Sequence, residues 1–439
     1  MTITPTAQQA QALGKITSWF ADPNRQVFRL FGYAGTGKTS LAQHLVNELG
    51  VTNVCYGAFT GKAAFVMAQK GCVGASTLHR LIYIPQEKAQ AKLRALLTEL
   101  DTETDPDKQA ILDKQIKIEK QRLETPDWIL REPDETELST TDLLVVDEVS
   151  MVATAMAADL LSFGTKVLVL GDPAQLPPVD GGGYFIHAQP DHLLTEIHRS
   201  ALDSPVTRLA TAVRGSATGD RSYGIAGLDG DSGRTDRITI AELLQFDQVL
   251  VGTNKSRWQT IHLLRALRGR VGEEPTPGDR IIILSNSGDA EVFNGQQFNV
   301  LGCVPHTRRD DQLNLHVADD EGATRHLTAW RAGFTNLEGE RQAKRDGRGS
   351  VVAATFGQAI TVHKAQGSQW DRVLVVDESA VFAGMEAREK ARARAGAGLP
   401  DNGEAAAVGH VAGRRWLYTA VTRAAQQVVI APGIRGLLR

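Results

Sequence analysis

The sequence predicts an α/β protein made of two parallel-sheet units, each interrupted by a smaller insertion. Three patterns carry that prediction. Apolar runs of strand length alternate with amphipathic helices towards both ends of the chain, a charged helical stretch breaks the first unit, and a cluster of short strands and tight turns breaks the second. The expected boundaries are 1–82 and 140–200 for the first unit, with 83–139 inserted in it. The second unit is expected over 201–275 and 346–439, with 276–345 inserted.

Val27 to Phe31 is a short apolar strand that runs into a Gly-rich loop and then an amphipathic helix, and VTNVCYGAFTGKAAFVMAQK repeats that order, the signature of βαβ units. Between Gln86 and Glu124 charges of both signs surround Leu93, Leu96, Leu97 and Leu100 at helical spacing. A turn at Asp105-Pro106-Asp107 then divides two solvated helices. TPDWILREPDETELS follows, with Pro126 and Pro133 bracketing Trp128, and reads as a small protruding hairpin. LLVVDEVS and KVLVLGDPAQ are near-continuous apolar runs, as buried parallel strands require, and both end on polar residues. The second unit begins near Ser204 and includes a strand at Gln248 to Gly252. PGDRIIILSNSGDAEVFNGQQFNVLGCV carries the turns of a small β-barrel, GERQAKRDGRGS reads as a polar boundary, and the α/β pattern resumes at Val351. An Ala/Gly/Arg-rich stretch at about 384–413 reads as a surface excursion.

Composition excludes several classes of function. The chain has 439 residues, 23% charged and 42% hydrophobic, so wholesale disorder is out. Cys55, Cys72 and Cys303 form no CxxC pair, which argues against a disulfide scaffold or structural zinc and fits a reducing, cytoplasmic setting. No apolar run approaches the ~20 residues that span a bilayer, and the N-terminus lacks an apolar signal core, so no membrane partner is expected. A net charge of −3 excludes a polycation that coats nucleic acid, though not a local basic groove.

Gly32 to Thr39, GYAGTGKT, matches GxxxxGK[ST] in full between a strand and a helix. Small residues let successive amides wrap phosphates, the helix N-terminus favours negative charge, Lys38 reaches the β/γ-phosphates and the Thr39 hydroxyl ligates Mg²⁺. Gly32, Ala34, Gly35, Thr36, Gly37 and Ser40 complete the cradle. Asp147-Glu148 ends a buried strand, and we assign Asp147 to the metal and Glu148 to activation of the attacking water. Gln175 suits a γ-phosphate sensor, because an amide can bond both phosphate oxygen and water. Arg199 and Arg423 lie in loops able to reach across a cleft.

The ordered series GYAGTGKT, AFTGKAA, STLHRL, DEVSM, GDPAQLPPV, LTEIHRS, TVHKAQGSQWDRV and LYTAVTRA resembles the motifs of superfamily 1 helicases, B branch, the RecD-like and phage Dda-like enzymes. The resemblance spans Gln9 to about Ala424. It implies two RecA-like motor domains with ATP and Mg²⁺ between them, a small helical and hairpin insertion in the first, and an SH3-like β-barrel insertion in the second. Gln9 matches the adenine-reading glutamine, with Gln8 as the alternative. Arg199 and Arg423 match the arginines offered by the motors. Gly367 to Gln369 matches the segment that joins nucleotide to DNA, and Gln369 departs from the family's usual Glu.

Strand-contacting positions implied by the same motifs are Phe59, Thr60, Lys62, Thr77, His79, Asn254, Lys255, Thr361, His363 and Lys364. Single-strand binders combine such polar and basic residues with stacking platforms. Trp128 has two readings, a wedge that parts a duplex or a side chain that packs its own insertion. The implied activity is ATP-dependent 5′→3′ movement along single-stranded DNA by a monomer in a bacterial or phage-infected cell. Implied partners are single strands, single-strand/duplex junctions and replication or recombination proteins. A protein-displacing translocase, an RNA helicase and a regulatory NTP switch remain alternatives at this stage.

Overall fold

The computed structural model describes residues 5–433 except 104, 123–127, 178–182, 198–202, 288, 348, 398–399 and 401, and leaves aside the side chains of 85–89, 106–107, 110, 121–122 and 128. Arg199 therefore lies outside the described residues, as does the Trp128 side chain.

The first sheet contains β1 (Val27–Gly32), β2 (Val54–Ala58), β3 (Ser76–Thr77), β6 (Leu143–Asp147), β7 (Lys166–Gly171) and β8 (His192–Leu194), in the order β3-β2-β6-β7-β1-β8, all parallel. Leu143 to Val146 and Val167 to Leu170 are fully buried, which explains their unbroken apolar sequence: helices cover both faces, so no alternation is needed. Between β3 and β6 the chain makes the antiparallel pair β4 (Tyr83–Pro85) and β5 (Trp128–Leu130), and between them the helices Gln86–Thr102 and Pro106–Arg122. Trp128 thus belongs to a ribbon whose two strands flank the helical pair, because Ile84 and Ile129 bury against each other. It is not part of a separate hairpin beyond the helices.

The second motor sheet contains β9 (Leu228–Asp229), β10 (Ser232–Arg234), β11 (Gln248–Val251), β18 (Ala359–Thr361), β19 (Trp370–Val376) and β20 (Ala424–Ala431), in the order β18-β11-β19-β20-β10-β9. All neighbours are parallel except β9 and β10. The excursion expected at 384–413 is instead a helical hairpin, Ser379–Gly396 against Glu404–Val421. A Cβ on Gly409 would lie 2.4 Å from the Ala383 carbonyl oxygen, so small residues let the two helices approach closely.

The third sheet is β12 (Arg280–Ile283), β13 (Gln297–His306), β14 (Arg309–Ala318), β15 (Thr324–Trp330), β16 (Val351–Val352) and β17 (Ala354–Phe356). Here two expectations change. Val351–Phe356 does not return to the motor: β16 pairs with β15 and β17 with β12, so this one apolar segment joins both edges of the sheet and removes them. The polar boundary GERQAKRDGRGS is largely the helix Leu337–Asp346, capped by Asn336 and burying Gly339, Glu340 and Ala343. Its buried face hides in the sequence because one of those positions is an ion-paired Glu. The barrel also touches the first motor, since a Cβ on Gly61 would meet the Phe293 ring at 2.4 Å and Gln69 donates to Glu321 at 2.8 Å.

Two buried carboxylates fasten barrel to motor. Glu340 accepts from Arg257 Nη2 at 2.5 and 2.6 Å and from Thr355 at 2.7 Å. Asp279, with no exposed surface, accepts from Arg265, Arg270, Thr276 and Gln358, the last at 2.7 Å. Deleting one partner of such a buried pair leaves the others charged and dry, at a cost of about 3–5 kcal/mol. Asp279→Ala should lower stability by about that much, read from urea unfolding followed by tryptophan fluorescence, and Asp279→Asn by less because an acceptor survives. A loss under about 1 kcal/mol for Asp279→Ala would refute this role.

Candidate functional site

The first sheet sends the ends of β1, β6 and β7 to one carboxyl edge, where α/β sheets place their ligand crevices. After β1 the backbone is left-handed at Gly35 (φ 81°) and Gly37 (φ 75°), conformations that glycine reaches without steric cost, and the helix Lys38–Leu49 begins directly beyond. Lys38 Nζ donates to the carbonyls of Gly32 (2.7 Å) and Tyr33 (3.2 Å), Thr36 is buried and turns back onto Tyr33, and Ser40 is exposed in the first helical turn. Gln9 is buried, caps its own helix and donates to the Thr36 carbonyl at 3.2 Å. Gln8 bonds instead to Leu193, Thr195 and Glu196, away from the loop. Of the two glutamines, Gln9 is the one that meets the phosphate-loop backbone.

Thr39 Oγ1 donates to Asp147 Oδ2 at 2.8 Å. A hydroxyl and a carboxylate thus converge at the helix N-terminus, hard oxygen donors of the kind that suit Mg²⁺ with most of its water retained. Glu148, at a left-handed φ of 55°, turns its carboxylate to Arg423 of the second motor, 3.8 Å away. Gln175 sits between them; with its amide oriented to satisfy both neighbours, its nitrogen donates to Glu148 Oε2 (3.1 Å) and its oxygen accepts from Arg423 Nη2 (3.3 Å). Arg423 is 5% exposed and held by the carbonyls of Thr419 and Ser368. Burial pushes the Glu148 carboxyl above the ordinary range; Arg423 opposes that rise and Asp147 adds to it.

Three residues not singled out from the sequence, Tyr418, Thr419 and Gln366, complete the cleft. Tyr418 Oη donates to Asp172 Oδ2 at 2.7 Å and accepts from the Ala34 amide at 3.1 Å, so one hydroxyl of the second motor joins two loops of the first. Beside it Thr419 accepts from the Leu176 amide at 2.9 Å, and Gln366 donates to the Leu176 carbonyl at 3.1 Å. The one available signal was spacing: Tyr418 lies five residues before Arg423 in LYTAVTRA, too far for sequence alone to show that both face one cleft.

Further along the same edge, Thr60, Thr77 and Thr361 each cap a helix through the side-chain oxygen. The two motors offer similar turns, Thr77-Leu78-His79-Arg80 from the last residue of β3 and Thr361-Val362-His363-Lys364 from the last residue of β18. His79 lies 5.7 Å from the Phe59 ring, Lys62 lies over Phe65, and Asn254 and Lys255 are exposed at the start of the helix after β11. Gly367 packs against this group rather than the phosphate loop: a Cβ there would meet Thr60 Oγ1 at 2.8 Å. Gln369 is exposed and donates to the Ala424 carbonyl. These positions are less basic than their residue types suggest. Burial lowers His79 and His363 below the usual imidazole value, and burial together with Arg257 brings Lys364 down to about 7.

If Glu148 must be ionised to act on water, activity is lost as pH falls through its raised pKa. The acidic limb of nucleotide hydrolysis against pH should therefore lie clearly above 4.5, the unshifted glutamate value. A limb at or below that value would refute the assignment.

The family model described as an AAA domain matches residues 4–236. The ATP-dependent RecD2 DNA helicase of Deinococcus radiodurans is 33% identical over 257 residues, covering 54% of this chain and 32% of that protein. The conjugal transfer protein TraA of Agrobacterium fabrum is 26% identical over 303 residues, covering 60% of this chain and 25% of that protein. The chain thus spans a third or less of the length of these curated relatives. Among solved structures, Pif1 helicases on forked duplex DNA superpose with TM-score 0.51 at 17% identity, covering 100% of this chain and 95% of theirs. The Candida albicans Pif1 helicase gives 0.50 at 17% identity, covering 99% and 95%, a likeness of fold. The chain belongs to the AAA-domain family, whose model matches more than half of it.

Proposed function

We propose that this chain is the motor of an ATP-dependent DNA helicase that moves 5′→3′ on single-stranded DNA. The observation that carries this reading is the composite cleft, in which Gln175 and Glu148 of one motor meet Arg423 of the other above a complete phosphate loop. A γ-phosphate site divided between two bodies lets hydrolysis change how the bodies are held together, as a motor requires. The RecD2 relative, itself called an ATP-dependent DNA helicase, supports the same reading.

Gln9 would read the adenine edge, and the amides from Gly35 to Ser40, with Lys38, would hold the phosphates. Thr39 and Asp147 would hold Mg²⁺, which supplies charge neutralisation at the phosphates. Glu148 orients water and takes its proton, Gln175 bonds the γ-phosphate, and Arg423 stabilises the charge that develops, with Arg199 as a second arginine. Strand contacts fall to Phe59, Thr60, Lys62, Thr77 and His79 in the first motor and to Asn254, Lys255, Thr361, His363 and Lys364 in the second. Gly367, between the two sets of contacts, couples strand to nucleotide. Trp128, on the ribbon at the base of the inserted helices, is proposed as the strand-separating pin, and the closed β-sheet insertion as SH3-like. The protein acts as a cytoplasmic monomer at single-strand/duplex junctions, with replication or recombination proteins as partners.

Lys38→Ala should reduce hydrolysis by about 10³-fold or more while strand binding persists, since the lysine serves the phosphates only. ATPase measured with DNA and with RNA single strands, then unwinding of substrates with 5′ or 3′ tails, tests substrate and direction. No stimulation by any strand would sink the motor reading, and stimulation without unwinding would favour a protein-displacing translocase. Trp128→Ala should lower unwinding and spare hydrolysis; equal loss of both, or of neither, removes the pin role. Lys364 is charged only below about 7, so strand affinity should fall severalfold from about pH 6 to about pH 8. Lys364→Arg, charged throughout, should flatten that dependence, and an unchanged pH profile would remove Lys364 from the track.

A further inference from the structure

A second cavity, of about 230 Å³, lies on the far side of the Asp172–Tyr418 hydrogen bond. Its cationic wall comes from two helices of the second motor. Arg214 occupies the last turn of Pro205–Gly215, and Arg414 and Arg415 line the cavity from Glu404–Val421 on either side of Tyr418, which follows them by four and three residues. Tyr33 of the phosphate loop and Ala174 of the Gln175 loop close the opposite wall.

Three arginines gather here, and among the described residues none of them is ion-paired. Arg214 stacks its guanidinium 3.6 Å from the centre of the Tyr33 ring, and Arg414 donates to the Ser216 carbonyl at 3.2 Å. Burial lowers Arg415 below its usual value, Arg414 adds to that by repulsion, and Glu386 is the one carboxylate that opposes it. Half-buried like charges held together repel, and an anion that bonds several guanidinium forks would relieve that repulsion. The space suits a small hydrated oxyanion, at roughly 30 Å³ per water, and falls below the ~300 Å³ at which pockets for larger ligands begin.

Its place decides which oxyanion. Ala174 adjoins Gln175, whose amide faces Glu148 and Arg423 on the hydrolytic side. Tyr33 adjoins Ala34, whose amide is held by Tyr418. The partition between γ-phosphate position and cavity is therefore one layer, closed by a hydroxyl of one motor bonded to two loops of the other. We propose that this cavity is the transit site of inorganic phosphate. Water attacks the γ-phosphorus, the bond to the bridging oxygen of ADP breaks, and the orthophosphate passes to the three arginines as the motors separate and the Tyr418 bridge opens. Phosphate loss is thereby tied to domain opening. The inference rests on the ATPase reading above.

The test uses the full chain with a saturating single-stranded oligonucleotide. ATP cleavage is followed by chemical quench, phosphate release by a fluorescent phosphate-binding reporter, and product inhibition by added orthophosphate. The double variant Arg414→Gln/Arg415→Gln, and separately Arg214→Gln on the other helix, should raise the phosphate inhibition constant about threefold to tenfold, the effect of losing one charge-assisted bond. KM for ATP and the cleavage rate should stay within about twofold. A raised KM with unchanged phosphate inhibition would mean that the arginines grip ATP itself and would overturn the proposal, as would no change in any quantity in a variant that folds. If the unmodified chain cleaves no ATP, the ATPase reading falls first and this inference with it. Cleavage that proceeds while phosphate inhibition ignores both variants removes this inference alone.

Discussion

The arrangement of the cleft depends on one hydroxyl. Tyr418 Oη is bonded at once to Asp172 and to the Ala34 amide, and it reaches both from the other motor. Burial pushes the Tyr418 phenol well above its usual range, so the bridge is a neutral hydroxyl donating to Asp172 in a dry setting, where such a bond is strong. With this bridge and the Thr419–Leu176 bond in place, the loop Asp172–Leu176 belongs to the first motor by covalent chain and to the second by packing. Leu176, Ala34 and Ala174 all pack into the second motor's core. Gln175 is held between Glu148 and Arg423 because both its neighbours in sequence are already pinned.

A shared loop of this kind stands on the same edge as the other loops of its sheet. Parallel strands deliver every loop to the same carboxyl edge, so the phosphate loop, Asp147 and Asp172 stand beside Thr60 and Thr77 without any special device. The second motor repeats the pattern with Thr253 and Thr361 as caps, and a His stands two residues after Thr77 in the first and after Thr361 in the second. Arg423 bonds the Ser368 carbonyl while the adjacent Gly367 touches Thr60, so two successive residues of one turn face the two sites.

Much of this was legible in the chain. LLVVD and KVLVLG are buried on both faces of a parallel sheet, and that environment leaves an unbroken apolar run that any reader of the sequence can see. The phosphate loop is equally local, since strand, turn and helix lie within a short stretch. The helix Leu337–Asp346 was not legible: its buried positions are Gly339, Glu340 and Ala343, and Glu340 is buried only because Arg257, 83 residues away, neutralises it. Val351–Phe356 was misplaced for a related reason. An apolar segment before a motor strand looks the same whether it joins the motor sheet or closes the barrel, and pairing with β12 and β15 settles which.

The sequence by itself determined the two α/β units, the phosphate loop, the acidic pair at the end of β6 and the order of motifs that resembles superfamily 1 helicases. Each is written in neighbouring residues. Tertiary structure decided which of the two glutamines faces the loop, that Arg423 and Gln175 meet at Glu148, that Tyr418 bolts the motors together, and that His79, His363 and Lys364 carry less charge than their types promise. The physical reason is common to all four. Burial, and partners distant in the chain, set the charge and direction of a polar side chain, and neither is encoded in local spacing.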